Sequence, residues 1–366
     1  MPSPLNWGLC ALLATSAAAA GPRGAPESEA PDRVAIIGAG IAGSACAWFL
    51  KDVPGLEITV FEPGPVGGRV REVLFPAVDP VNVEAGGAAI HSTNKHMAEF
   101  IDALGLHRDT SSAALLFARQ QKVDSDVADG GAASWNGQSL LKLSPFDFPV
   151  SLLRTRRLVT KVIGQWQQIY DLQTRNASFD HPWEMLKTLG LDSLASISAR
   201  DWLKDKKLDK RFLEAFVDGV SRVNYGQDSS INAFADSVSL AGAGLVGSLY
   251  AVKEGNSRVM SGLLASSGAK LRTQSVAAVR RSATSEGGYE VCTLDGQCEV
   301  FTSVVVAAPL EFANLTLETG LQPTTPRRPY QVTVATFVLA EGLSAQYFGA
   351  ASGGTVSADT VTTTSN

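Results

Sequence analysis

Three glycines and one acid carry the clearest chemistry in this chain of 366 residues. Gly38-Ala39-Gly40-Ile41-Ala42-Gly43 has the G-x-G-x-x-G spacing, and Glu62 follows at the distance a ribose-binding acid needs. Gly38 permits a tight turn. Gly40 has no Cβ, so a pyrophosphate can approach its backbone. Gly43 lets a helix lie close to a strand, and Glu62 can accept hydrogen bonds from ribose hydroxyls. The phosphates would sit on free N–H groups at a helix N-terminus, where the dipole is positive. That chemistry requires particular elements around it, and the sequence supplies them. Val34 to Ile37 is a short run of strand formers, Ile41 to Leu50 has a helix pattern, and Glu57 to Phe61 is a second strand ending at the acid. The unit from Arg33 to Glu62 is therefore a dinucleotide-binding βαβ module, and by itself it does not choose between dinucleotides.

Two further glycine pairs narrow the choice. Val66-Gly67-Gly68-Arg69 follows Glu62 directly, and Glu84-Ala85-Gly86-Gly87 lies a little further on. The first run resembles the second glycine motif of flavin amine oxidases and their relatives, which implies that Arg69 lies near an FAD diphosphate. The second resembles the flavin-contacting turn of that superfamily, where small residues let a flat ring come close. Downstream, Ser275 to Val279 is strand-like. Tyr289 to Val291 and Glu299 to Phe301 flank the Asp295-Gly296 turn, a strong hairpin signal. Val304 to Ala308 is another buried strand. The resemblance implies that Val276 meets adenine through its backbone and that the strand ending at Pro309 closes the sheet. The expected fold class is α/β. A Rossmann-like FAD-binding domain is split in two, with a largely helical α+β substrate domain inserted between its halves.

The middle of the chain reads differently. Ser151 to Tyr170 places Leu152, Leu158, Val162, Ile163, Trp166 and Ile169 at helical spacing, and Pro182–Leu189, Ala199–Leu203 and Arg211–Val220 also read as helices. Asp201 to Asp209 is a mixed-charge stretch that reads as solvated helix ends. Arg222-Val223-Asn224-Tyr225-Gly226-Gln227, then Ile231-Asn232-Ala233-Phe234 and Ser237 to Leu240, resembles the prenylcysteine oxidases, called farnesylcysteine lyases in plants. Ile90-His91, His96-Met97 and Glu254-Gly255-Asn256 are similar to that family too, and the likeness runs from about Arg33 to Phe348. It implies an FAD-dependent oxidation of the prenyl carbon next to sulfur. Water then adds, and collapse gives prenyl aldehyde and free cysteine while O2 becomes H2O2. Such chemistry needs no nucleophile–base pair, because the cofactor carries the difficult step. His91 is the candidate to assist water addition or peroxide chemistry, against a purely structural role. Arg222, Asn224, Tyr225 and Gln227 either hold the amino-acid head of the substrate or form a buried polar network.

The remaining composition bounds the function. Net charge is -5, which argues against a nucleic-acid binder, and no apolar run spans a bilayer. Peripheral membrane association and a monomeric state are the expectations. Leu5 to Ala20 resembles a secretory signal peptide, although its start lacks Lys or Arg. It points to the secretory pathway, and a lysosome or vacuole beyond it. Asn176-Ala177-Ser178 and Asn314-Leu315-Thr316 are glycosylation sequons. Cys10 belongs to the leader and Cys46 reads as core. Cys292 and Cys298 flank the hairpin turn, either paired or free, and no spacing suggests a metal site. The expected organisation is a leader over 1–20, FAD-binding segments at 32–110 and 246–312, a helical substrate domain at 111–245, and an incomplete second substrate segment at 313–366. The family runs beyond this end, so a C-terminal truncation is expected. Two rivals stand beside the oxidase reading: another flavin enzyme such as an amine oxidase or desaturase, and a non-catalytic prenyl binder or inactive fragment with the architecture of GDP-dissociation inhibitors.

Overall fold

The computed structural model describes residues 31–75, 81–110, 132–143, 147–323, 329–338, 340, 342–349, 356 and 360–363. The leader at 1–20 lies outside them. β1 (Arg33–Ile37), α1 (Ile41–Leu50) and β2 (Glu57–Phe61) form at the positions their patterns predict. β3 (Arg71–Phe75) and β4 (Val81–Gly86) make an antiparallel ribbon that ends at the second glycine pair. β5 (Ile90–His91), α2 (Lys95–Ala103) and β6 (Arg108–Asp109) follow, then β7 (Ala132–Trp135) and β8 (Leu140–Leu143).

The insert is built on α3 (Pro149–Gln167), which starts with Pro at its first turn and buries Thr155, Val159, Val162 and Ile163 on one face. α4 (Ile169–Thr174), α5 (Pro182–Thr188), α6 (Asp192–Ser196) and α7 (Ala199–Lys204) wrap around it. The helix predicted over Arg211–Val220 is interrupted. α8 (Lys210–Phe212) gives way to a π-helical turn at Leu213–Val217 before α9 (Asp218–Tyr225) begins. α10 (Ala233–Leu240) completes the cluster, in which Val159, Ile163, Leu203, Phe212, Val217 and Leu240 are buried together. The insert also has a sheet: β7 and β8 pair antiparallel, and β16 (Thr360–Thr363) joins β7 in parallel.

The chain then returns through β9 (Leu249–Val252), α11 (Ser257–Ser267), β10 (Lys270–Arg272), β11 (Val276–Arg281), β12 (Tyr289–Thr293), β13 (Cys298–Phe301), β14 (Ser303–Val306) and β15 (Thr316–Leu317). The central sheet runs β10-β2-β1-β14, all parallel, so two distant stretches of sequence build it. The expected return strand is β14, and β10 was not read from the sequence. Period-two alternation places the core on both faces. Val34, Ile36, Ile58 and Val60 meet α1 and α11, while Ala35, Ile37 and Phe61 meet Val276, Val279, Val291 and Phe301 of the β13-β12-β11-β15 sheet. Cys292 and Cys298 face each other across the hairpin and form a disulfide. Cys46 is buried and free of disulfide bonding, as its helix position implied. No helix among the described residues is long and apolar enough to cross a membrane.

Candidate functional site

The three fingerprint glycines sit where their spacing demands. Gly38 adopts a φ of +107°, and a Cβ there would stand 3.2 Å from the Ala307 backbone at the end of β14. A Cβ on Gly43 would overlap the Gly38 carbonyl, so only glycine lets α1 approach the turn. Gly40 caps α1 with no side-chain hydrogen bond, leaving the helix N-terminus to backbone groups. The Gly67-Gly68 loop lies across it. The Gly67 N–H donates to the Ala39 carbonyl at 2.9 Å, and a Cβ on Gly68 would stand 3.3 Å from the Gly40 Cα. Glu62 organises the same corner: its carboxylate accepts the Ala39 N–H and the Gly64 N–H, each at 2.9 Å. Ile41, Ala42, Gly68 and Arg69 are exposed at the rim, while Gly67 is buried beneath. The result is an open cradle of bare backbone above a helix N-terminus, which side chains larger than hydrogen would fill. It fits a dinucleotide diphosphate.

The second glycine pair packs directly on this cradle. A Cβ on Gly86 would overlap the Arg69 carbonyl, and one on Gly87 would stand 2.8 Å from the Val70 side chain. Two acids from the β3–β4 ribbon, Glu72 and Glu84, face each other beside it. The Glu84 Oε1 accepts the Asn256 N–H at 2.7 Å, and its other oxygen is buried without a partner. Burial, with a smaller push from Glu72, raises the Glu84 carboxyl to about 7, against the pull of the Asn256 hydrogen bond. His91 lies just beyond. Its Nε2 donates to the Val246 carbonyl at 2.6 Å, and its Nδ1 accepts the Thr93 N–H at 3.2 Å. Both ring nitrogens are thus engaged within the chain, and a part in chemistry needs one of those bonds to open. Val276 begins β11 and turns its buried side chain toward Ala35, Ile37 and Phe61.

The four polar residues of the middle stretch lie around the end of α9, each with different surroundings. Arg222 donates to the Thr363 carbonyl of β16. Asn224 donates to the Ser239 carbonyl at 3.1 Å and to its hydroxyl at 3.0 Å. Burial and the nearby Asp236 push the Tyr225 phenol above its ordinary range. Gln227 is exposed after the left-handed Gly226 that ends the helix. Beneath them is a buried polar network that sequence reading did not find. Asp218 accepts the Ser229 N–H at 3.0 Å and pairs with Arg200 at 3.3 Å, and Arg200 also reaches Asp228 at 3.0 Å. Asp236 is fully buried, bonded to Ser221 through one oxygen and without a partner at the other. Its carboxyl is raised to about 7, chiefly by burial and then by Asp218 and Asp228, against the Ser221 hydrogen bond. Among the described residues, one trio has metal-ligand proximity, Glu290, Cys292 and Cys298, but its two sulfurs are joined in the disulfide.

Residues 132–366 match the model of the prenylcysteine lyase family. This chain belongs to that family. Residues 36–104 match a Rossmann-like NAD(P)-binding domain, in keeping with the cradle. Prenylcysteine oxidase 1 of Mus musculus is 34% identical over 350 residues, covering 91% of this chain and 66% of that protein. Prenylcysteine oxidase 1-like of Homo sapiens is 32% identical over 359 residues, covering 93% of this chain and 69% of that one. The chain therefore spans about two thirds of the length of these relatives. Among solved structures, a putrescine oxidase double mutant aligns with a TM-score of 0.55 at 18% identity, over 80% of this chain and 61% of that one. Cyclohexylamine oxidase from Brevibacterium oxydans aligns at 0.53 and 20%, over the same shares. These last two likenesses establish the shared α/β fold.

Within this prenylcysteine lyase family member, sequence reading placed the glycine cradle and missed the side chains that brace it. Asn256 and Glu84 lie inside stretches quoted for resemblance and Glu72 lies outside them, and nothing in their spacing announces that distant segments meet there.

Proposed function

We propose that this chain binds FAD in the glycine cradle and acts as a thioether oxidase on prenylcysteine, farnesyl or geranylgeranyl. The reaction converts the thioether, O2 and water into cysteine, prenyl aldehyde and H2O2. The single observation that supports the cofactor is the cradle itself: the Gly67-Gly68 loop lies against Gly40 at the N-terminus of α1, so the surface offered there is bare backbone. Membership of the prenylcysteine lyase family supports the substrate. When bound, FAD supplies a two-electron acceptor for the carbon next to sulfur.

The chain's own residues supply position. Gly38, Gly40, Gly43, Gly67 and Gly68 expose backbone to the diphosphate, with Arg69 at the rim and Glu62 beside the ribose. Gly86 and Gly87 allow a flat ring to come close, and the Val276 backbone faces adenine. Arg222, Asn224, Tyr225 and Gln227 take the polar head of the substrate at the end of α9. Exposed Asn176 and Asn314 carry N-glycans in a secretory or lysosomal setting, and the disulfide accords with an oxidising compartment. The units follow the sequence division: FAD-binding at 32–110 and 246–312, substrate-binding at 111–245 and 313–366, in a monomer that touches membranes peripherally.

The test is a spectrum followed by turnover. Purified chain mixed with FAD and gel-filtered should retain flavin absorbance, and farnesylcysteine should then release H2O2. A colourless protein sinks the cofactor assignment, and turnover of amines without farnesylcysteine sinks the substrate.

A further inference from the structure

Asn256 joins three segments that are distant in sequence. It is 2% exposed and every polar group it carries is used. Its Oδ1 accepts the Val252 N–H at 2.8 Å, at the end of β9. Its Nδ2 donates to two successive carbonyls, Gly87 at 2.8 Å and Ala88 at 2.9 Å. Its own N–H donates to Glu84 at 2.7 Å, on the strand that leads into the same turn. A flipped amide would set its oxygen against both carbonyls, so the network fixes its orientation. Asn256 also begins α11, which packs along α1, and α1 presents its N-terminus to the glycine loops. The neighbourhood leaves little slack. Ser257 donates to Glu72 at 2.7 Å, and a Cβ on Gly255 would overlap the Glu72 carboxylate.

We propose that Asn256 is a positioning residue: by holding the Gly87 and Ala88 carbonyls it fixes the Gly86–Ala88 turn against the Gly67–Val70 loop, and so sets the chain's affinity for FAD. The inference rests on the FAD reading above. No other side chain reproduces the arrangement. Alanine strands two carbonyls and one N–H. Aspartate offers acceptors only and brings a carboxylate beside Glu84 and both carbonyls. Serine keeps one donor of the two.

The test uses the full chain and compares FAD dissociation constants, the visible spectrum of bound flavin, and amide hydrogen exchange. Asn256→Asp should weaken FAD binding by about tenfold or more, the scale of stranding buried hydrogen-bond groups. It should also shift the flavin band and speed exchange over residues 84–91, with residues 57–61 unchanged. Adding Glu84→Gln should recover part of the affinity, because it removes the opposed carboxylate without restoring the donors. If Asn256→Asp does not fold, Asn256→Ser reads the same comparison, with an expected loss of about threefold. Variants that bind FAD as tightly as the parent, with the same spectrum, overturn the inference while leaving the FAD reading intact. A parent chain that binds no FAD overturns both.

Discussion

The nucleotide cradle and the helical insert are held together by different means. In the cradle, backbone meets backbone: the Gly43 position abuts the Gly38 carbonyl, the Gly68 position the Gly40 Cα, and the Gly86 position the Arg69 carbonyl. In the insert, side chains meet side chains, with Asp218, Asp236, Ser221, Ser229 and Arg200 tying α7, α9 and α10 together. Close backbone contact admits one residue type and punishes any other. A buried polar network admits many arrangements, provided every donor and acceptor finds a partner. The first design is brittle toward sterics, and Glu84 beside it is the acid there that should make it respond to pH. The second should respond to the loss of any one charge and to the protonation of its acids.

The largest expected effect is steric. Gly43→Ala adds a methyl group inside contact distance of the Gly38 carbonyl, and neither side can retreat without opening the sheet. Alanine is worth about 1 kcal/mol over glycine in a helix interior, which is too little to offset the clash. We expect a net loss of about 3–5 kcal/mol and loss of FAD retention, read by thermal melting and by flavin absorbance after gel filtration. A stable yellow Gly43→Ala protein would end the backbone-contact account of the cradle.

Asp218→Ala tests the other side of the comparison. It leaves the Ser229 N–H unpaired in the interior and takes one of two carboxylates from Arg200. A loss of about 3 kcal/mol is expected in denaturant unfolding, with FAD affinity within about threefold of the parent. A parallel fall in FAD affinity would show that the two regions are not separable.

Protonation gives a smaller effect with a definite sign. Asp236 and Glu84 each carry a carboxyl raised to about 7 in the folded chain, from ordinary values of 3.8 and 4.5. Between those values and 7 the folded chain keeps protons that the unfolded chain has released. Stability from these groups is therefore present at low pH and lost as pH rises through that window. The loss should be larger for buried Asp236 than for half-buried Glu84, where solvent screens the charge. Melting curves from pH 4 to 8 should show the decline, and Asp236→Asn should flatten it more than Glu84→Gln. Stronger flattening by Glu84→Gln would place the dominant acid in the cradle instead of the insert.

The same contrast explains what was legible in the residues. Gly38, Gly40, Gly43 and Glu62 could be read because a backbone cradle permits so few residues that spacing alone reveals it, and β1, α1 and β2 came with them. β10 was not legible: Lys270–Arg272 is a short strand with a charge at each end, and only pairing beside β2 makes it one. The π-helical turn at Leu213–Val217 breaks a pattern whose apolar spacing runs on smoothly. Asp236 and Asn256 were invisible as site residues because their meaning lies in partners distant in sequence or on another helix, Ser221 for one and Gly87 for the other.

His91 belongs to neither region alone, and it yields the smallest expected effect. Its ring fastens Thr93 to Val246, but the neighbouring Ser92 and Ser248 already bond to each other twice, at 2.8 and 3.0 Å. Removing the ring therefore leaves the two segments joined. As a fastener, His91→Ala should cost about 1 kcal/mol of stability, with turnover within about threefold and an unmoved pH profile. As a general acid–base group it should do the reverse, leaving melting nearly unchanged while turnover falls about a hundredfold or more. Measuring melting temperature and the pH dependence of peroxide release on one preparation separates the two. Because both ring nitrogens are engaged inside the chain, the fastener's result is the one expected.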